Sequence, residues 1–391
     1  MNILFVVGVF PTYSETFIIN QINDLIDRGH QVYLLSMVKG SATISDSYSN
    51  KYQLVEHCMY QFCTDHLSVR ISNKLKRLLH LEPQLAIKEV VALEKKIDIV
   101  HCHFGDHAVL FHKIYLTKYF KRAAIVCTFH GYDFEPYRAD YYKKYYRHII
   151  TRFDGFLYNT LYFGRIIKEV IPTSKCYELP VGFDKDFLDP FYQKRRNVLY
   201  NNKTIFTIVF CGRLIGLKGV LLLPEIAKVL IQNNLTNFNI AIIGDGDLRE
   251  ELIEVIRKND FDKYFKLYGS LKQENVFDVM SQGDIFILPG IDDLETGRAE
   301  TQGLVIQEAQ FLGLPVITSN SGGTKFGMID GETGFVVKQN DVNGFAEKIM
   351  SLMLNNSLYN QFSVAAHEFA AQYYTSDVLG QRLMDIYKKL M

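Results

Sequence analysis

The chain has 391 residues, 48% hydrophobic and 22% charged, and its 43 Lys and Arg balance 43 Asp and Glu. Such a composition excludes disorder and low complexity, and the zero net charge gives no reason to expect nucleic acid as a main partner. The length suits two domains of ordinary size, each able to bury its own core.

Cys58, Cys63, Cys102, Cys127, Cys176 and Cys211 form no Cys-x-x-Cys pair, and most sit in apolar runs. They read as reduced core residues of a cytoplasmic protein. The opening MNILFVVGVFPTYSETF has no basic leader, and its apolar run is too short for a membrane span or a good signal peptide. No run of eighteen apolar residues follows, so the protein is expected to be soluble or to rest on a membrane surface.

Asn2 to Val7 reads as a buried strand, and Ser14 to Arg28 as a helix with Phe17, Ile18, Ile22, Leu25 and Ile26 on one face, ended by Gly29. Gln31 to Met37 is the next strand, which predicts an α/β protein with a parallel, doubly wound sheet. Further on, RISNKLKRLLHL gathers Leu75, Leu78 and Leu79 on one helical face. Between Arg70 and Arg152 stand sixteen Lys and Arg against eight Asp and Glu, and YYKKYYRHIITRF interleaves basic and aromatic residues. That stretch suits either a solvated helix face or contact with anionic headgroups or a lipid-linked diphosphate.

Ile97 to His101 should be a strand, with HCHFGDHA as the loop after it. His101 and His103 flank a cysteine but lack a further ligand at a zinc-like spacing, so no metal is expected. Ala123 to Phe129 is another strand, and His130 follows it directly, with Gly131 admitting close backbone approach. That placement suits a ligand contact. Gly155 to Asn159 and Lys175 to Leu179 close the first domain, and PVGFDKDFLDPF leaves it.

The second domain opens near Thr204 with a strand, a loop carrying Gly212, Arg213 and Lys218, and a helix from Gly219. Two cations at the carboxyl end of a strand can neutralise a diphosphate without metal. Asp245 and Asp247 form an Asp-x-Asp between a strand and a helix, where Asp247 reads as an N-cap and not a metal ligand. From Ile285 an apolar strand ends at Pro289, a loop carries Glu300, and a helix runs from Gly303 to Leu312 with Glu308 on it. Glu308 then lies roughly 7 Å along the helix, about the span from a ribose to its outer phosphate. A carboxylate there can accept both hydroxyls of a ribose, and the amides of Gly303 and Leu304 suit a phosphate. Glu300 faces what hangs beyond the phosphates, such as a sugar. From Asp341 the chain is helical and ends in an amphipathic helix with Val378, Leu379, Leu383 and Ile386.

Glu300 and Glu308, with seven residues between them and followed by EAQFLGLPVITSNSGG and DGETGFVV, resemble the Glu-x7-Glu block of the family 4 retaining glycosyltransferases. The resemblance implies the α/β GT-B fold, two Rossmann-like doubly wound domains facing a cleft. Residues 1–190 would bind acceptor, 200–374 the nucleotide-sugar, and a terminal helix, 375–391, would cross back to the first domain. It implies that Glu308 holds the ribose, that Glu300 and His130 contact the donor sugar, and that Arg213 and Lys218 meet the diphosphate. Gly212, Gly303, Leu304 and the segment of Tyr268, Gly269 and Leu271 would complete the nucleotide site, the base being read mainly by backbone.

GVFPTYSETFI and RGHQVYLL resemble bacterial exopolysaccharide and lipopolysaccharide members of the family. That makes Gly8, Ser14, Glu15 and Asp106 candidates for acceptor contact, although a helix cap explains Ser14 and Glu15 equally well. The expected partners are a UDP- or GDP-sugar, a glycan or lipid-linked acceptor and an anionic membrane surface, with no metal or other cofactor. The expected location is the cytoplasm, at the inner face of the cell membrane. Three departures stand out: no Gly-Gly pair in the first loop, Phe326 after Lys325 where a glutamate is usual, and Thr301 and Gln302 after Glu300. They keep two alternatives open, a catalytically silent partner subunit and a nucleotide-sugar epimerase. A nicotinamide dehydrogenase is disfavoured, because no Gly-x-Gly-x-x-Gly follows the first strand.

Overall fold

The computed structural model describes residues 1–12, 15–40, 51–62, 87–199 and 205–391. They fall into two compact units. The first comprises Met1–Asn159, Gly164–Leu179 and Leu379–Met391, and the second Thr160–Phe163 and Pro180–Val378.

The first unit is a parallel sheet of β1 (Asn2–Phe10), β2 (Gln31–Lys39), β3 (Cys58–Phe62), β4 (Ile99–His103), β5 (Ala124–Phe129), β6 (Gly155–Tyr158) and β7 (Cys176–Glu178). Their order is β3-β2-β1-β4-β5-β6-β7. Runs such as Ile3 to Val7 and Ala124 to Phe129 are buried throughout, as strands covered on both faces must be. Ile18, Ile22 and Leu25 of the helix Thr16–Asp27 join Ile3, Phe5 and Val7 in one core, with Leu379, Leu383, Ile386 and Tyr387 from the last helix, Ser376–Leu390. Val378 is only half-buried.

Several boundaries move. β1 runs on through Phe10, so Gly8 lies inside the strand and not in a loop after it, where its carbonyl accepts from the Ser36 hydroxyl at 3.3 Å. The His107 ring occupies the place of a Cβ on Gly8, 2.0 Å from that position. HCHFGDHA is not a loop: β4 extends through His103, and the helix Gly105–Phe111 follows. His101 and His103 stay in the strand because β1 and β5 flank them and Phe5 packs on both rings. Glu15, without a side-chain bond, caps the first helix. Ser14 and the expected helix over 70–81 lie outside the described residues.

The second unit repeats the winding. Its strands are β8 (Phe206–Cys211), β9 (Phe238–Ile243), β10 (Phe265–Gly269), β11 (Ile285–Leu288), β12 (Val316–Ser319) and β13 (Gly334–Val337), all parallel, in the order β10-β9-β8-β11-β12-β13. In both sheets the direction of winding reverses once, between β1 and β4 and between β8 and β11. Loops part at such a point, and the carboxyl edge there is where an open α/β sheet receives ligands.

The helix Lys185–Leu199, in a stretch read as the exit from the first domain, belongs to the second unit. Its Arg195 is buried and donates to the carbonyls of Gly283, Asp284 and Gly313 and to the Tyr359 hydroxyl. Pro190 and a high charge content disguise this helix in the sequence. After β8 a single 3-10 turn, Gly216–Lys218, precedes the helix, which begins at Leu222 and not at Gly219. The helix Arg249–Lys258 is capped by Leu248, so Asp247 is not its N-cap.

Candidate active site

The winding reversal of the second unit gathers its charged residues. β8 ends at Cys211 and leads into Gly212, Arg213 and the turn bearing Lys218, and β11 leads into the loop bearing Glu300. Gly219 sits where the two segments meet. A Cβ there would lie 1.8 Å from the Pro289 carbonyl oxygen, and φ is 66°, so only glycine lets the loop close. Closure brings the Lys218 ammonium onto the Glu300 carboxylate as an ion pair, the side chains being 14% and 20% exposed. Burial pushes the Glu300 carboxyl up, but Lys218, and after it Arg213, outweigh this and hold it below its ordinary value.

The other candidates cluster on the same edge. The Gly212 Cβ position is 3.6 Å from the Lys218 side chain, and that of Gly303 is 3.4 Å from Cγ of Glu300. Gly303 has φ 74° and caps the helix Leu304–Phe311 without a side-chain acceptor, so no capping group competes for the first-turn amides of Leu304 and its neighbours. Glu308, half-buried on that helix, makes no side-chain hydrogen bond or ion pair among the described residues, and burial pushes its carboxyl up to about 7. Burial raises the Cys211 thiol to about 12, with a further push from the Glu308 charge and an opposing pull from Lys218, which places both beside the end of β8. Tyr268 and Gly269 end β10, and the Gly269 carbonyl accepts from the Gly244 amide at 2.9 Å; Leu271 follows, half-buried.

Residues that the sequence marked only as departures hold the Glu300 loop. The Gly323 amide donates to the Glu300 carbonyl at 2.7 Å, and the Thr160 hydroxyl to the Thr301 carbonyl at 2.6 Å. Gln302, buried, accepts from the Val181 amide at 2.9 Å and donates to its carbonyl at 2.8 Å. Gln302 thus serves its neighbour as an adjacent strand would.

The corresponding edge of the first unit carries rings. His130, half-buried after β5, lies with its ring plane 9° from that of His103, and His103 Nδ1 lies 3.0 Å from His130 Nε2. Burial lowers the His130 and His101 imidazoles to about 3 and that of His103 far below its ordinary value, so all three are neutral. Asp133 accepts from the amides of His130 at 2.7 Å, Gly131 at 3.3 Å and Gly105 at 2.5 Å, fixing the turn that bears His130. Burial raises its carboxyl to about 6 against those hydrogen bonds. The sequence did not mark His103 and Asp133 as the residues that hold His130; an Asp three positions after it is the available signal. Asp106 is exposed in the first turn of the helix Gly105–Phe111, and Glu15 is half-buried, its carboxyl pushed up to about 7 by burial.

Lys218, Arg213, Glu300 and the start of the helix Leu304–Phe311 thus meet at the winding reversal of an α/β sheet. Residues 192–369 match the family described as "Glycosyl transferases group 1", and residues 14–187 match "Glycosyltransferase Family 4". The chain belongs to the family 4 glycosyltransferases, enzymes that transfer sugars, and its fold is GT-B. It is 24% identical over 415 aligned residues to the amylovoran biosynthesis glycosyltransferase AmsK of Erwinia amylovora, covering 100% of each. It is 25% identical over 308 residues to the UDP-Gal:alpha-D-GlcNAc-diphosphoundecaprenol alpha-1,3-galactosyltransferase of Escherichia coli, covering 71% of this chain and 76% of that protein. The structure of Anabaena HepE in complex with UDP superposes with a TM-score of 0.74 at 17% identity, covering 100% of both chains.

Proposed function

We propose that this enzyme transfers a sugar from a UDP- or GDP-sugar, with retention at the anomeric carbon, to a hydroxyl of a glycan or lipid-linked acceptor during bacterial surface polysaccharide synthesis. The observation that carries the reading is the Lys218–Glu300 pair beside Gly303 at the β8/β11 reversal. A departing nucleoside diphosphate needs its growing negative charge stabilised, and preorganised cations and helix amides do this without reorganising. Lys218 and Arg213 take that role together with the amides of Gly303 and Leu304, and no metal is needed for it. Glu308 binds the ribose diol as a carboxylate, while Glu300, exchanged off Lys218 by the diphosphate, and His130 orient the sugar. Gly212 and the Tyr268–Leu271 segment line the nucleotide, and Gly8, Ser14, Glu15 and Asp106 serve the acceptor.

The names of the amylovoran and diphosphoundecaprenol relatives support the acceptor class. A membrane surface fits the exposed Tyr132, Tyr137 and Tyr141 beside exposed Lys143, Lys144 and Arg147. No described helix is long and apolar enough to cross a membrane. The test is nucleoside diphosphate release from a panel of nucleotide-sugars, with and without acceptor and with a chelator. Acceptor-dependent release from a UDP- or GDP-sugar that survives chelation, with an α-linked product from an α-linked donor by NMR, is expected. Conversion of the donor without acceptor would instead indicate an epimerase, and folded protein inert to every donor a silent subunit.

A further inference from the structure

We propose that His103 is a positioning residue that fixes the tautomer of His130, keeping the proton of His130 on Nδ1. It rests on the role given to His130 above and extends that reading by one residue.

Both imidazoles are neutral, so each carries one proton, and the 3.0 Å bond between His103 Nδ1 and His130 Nε2 holds one proton between them. Two arrangements are possible. If His130 donates from Nε2, the proton of His103 must sit on its own Nε2, which is buried and has no hydrogen-bond partner. If His103 donates from Nδ1, the buried Nε2 is a bare lone pair and His130 bears its proton on Nδ1. Orphaned buried N–H groups are the rarer defect, so the second arrangement is favoured.

The surroundings leave His103 little freedom to choose otherwise. Its ring is packed between Phe5, at 5.3 Å, and His101, at 4.4 Å, and the near-parallel His103 and His130 planes keep the bond aligned. His101 is engaged elsewhere, with Nδ1 2.6 Å from the Tyr387 hydroxyl and Nε2 2.7 Å from that of Thr128. It therefore supplies no partner for His103 Nε2. The imidazole of His130 thus bears its proton on Nδ1.

Nitrogen-15 NMR of the histidine-labelled full chain reads the tautomer without mutation: a protonated Nδ1 and bare Nε2 on His130 are expected, and the reverse overturns the proposal. Kinetics supply the second arm. His103→Asn keeps an N–H near the place of Nδ1 and should hold kcat within about threefold, whereas His103→Leu should lower it about tenfold or more with donor KM little changed. Equal activity of the two variants, or Leu better than Asn, would show that His103 only fills space. The role of His130 fails separately: His130→Ala with wild-type turnover, alongside the expected NMR pattern in the parent, removes the functional reading while leaving the tautomer assignment standing.

Discussion

The first six strands of each unit share one order, yet the carboxyl edges of the two sheets are chemically opposite. At the β8/β11 reversal stand formal charges, Lys218 against Glu300 with Arg213 adding its field. At the β1/β4 reversal and the adjoining end of β5 stand neutral imidazoles, their charged forms suppressed by burial. The winding decides where a ligand meets the sheet, and the residue types decide what it can be. A charged edge suits a diphosphate, and a neutral donor edge suits hydroxyls.

The largest effect expected from breaking this contrast is in the charged edge. Lys218→Ala should lower turnover by about a thousandfold through loss of leaving-group stabilisation, read by nucleoside diphosphate release. Loss of Lys218 also strands the largely buried Glu300 carboxylate, so the melting temperature should fall, and turnover is compared below the variant's transition. Turnover at wild-type level would show that the diphosphate lies elsewhere.

Second is the pH dependence of nucleotide binding. The carboxyl of Glu308 titrates near 7 in the folded chain, above its ordinary value, so its proton adds stability that is complete below about pH 4.5 and lost as pH rises through 7. Diol binding needs the carboxylate. Nucleoside diphosphate affinity should therefore rise by up to about tenfold per pH unit below 7 and level off above it. Glu308→Gln should flatten that slope; an unchanged slope in titration calorimetry would separate Glu308 from the ribose.

Third, the neutral edge should contribute an acid-sensitive share of the stability. His101 and His130 titrate near 3 when folded and near 6.5 when unfolded, so the unfolded chain binds more protons between those values. Stability present above 6.5 is lost as pH falls, by up to about 1.4 kcal/mol per histidine per pH unit. The raised carboxyls of Glu15, Glu308 and Asp133 act in the opposite direction, so the histidine contribution is read as a difference: the urea midpoint of His101→Phe minus that of the parent should rise as pH falls from 7.5 to 5. The smallest effect concerns the exposed basic and aromatic face. Lys143→Glu combined with Lys144→Glu should reduce sedimentation with anionic vesicles by about threefold at low salt, an effect that neutral vesicles would not show.

How far the sequence spoke depended on whether a residue's meaning was local. Continuous runs such as IFIL and IVFC announce buried parallel strands, and the spacing from Glu300 in its loop to Glu308 on the following helix is a local pattern. The role of His103 is not local. IVHCH looks polar at its end, and only the neighbouring strands and Phe5 turn those histidines into buried strand residues, so the strand was ended too early. Arg195 was hidden for the same reason: a charged residue near Pro190 reads as linker until the carbonyls of Gly283, Asp284 and Gly313 are seen around it. Gln302 was visible as a departure, but its partner Val181 lies 121 residues away.

The most direct measurement is calorimetric titration of UDP and GDP into the parent chain, Lys218→Ala and Glu300→Gln. Glu300 competes with the diphosphate for Lys218, so removing its charge should tighten the preferred nucleotide by about threefold to tenfold, while Lys218→Ala should weaken it by at least about tenfold. Opposite signs from two partners of one ion pair are the expected result. Equal affinities in all three proteins, or weakening by both variants alike, would contradict a diphosphate site at that pair.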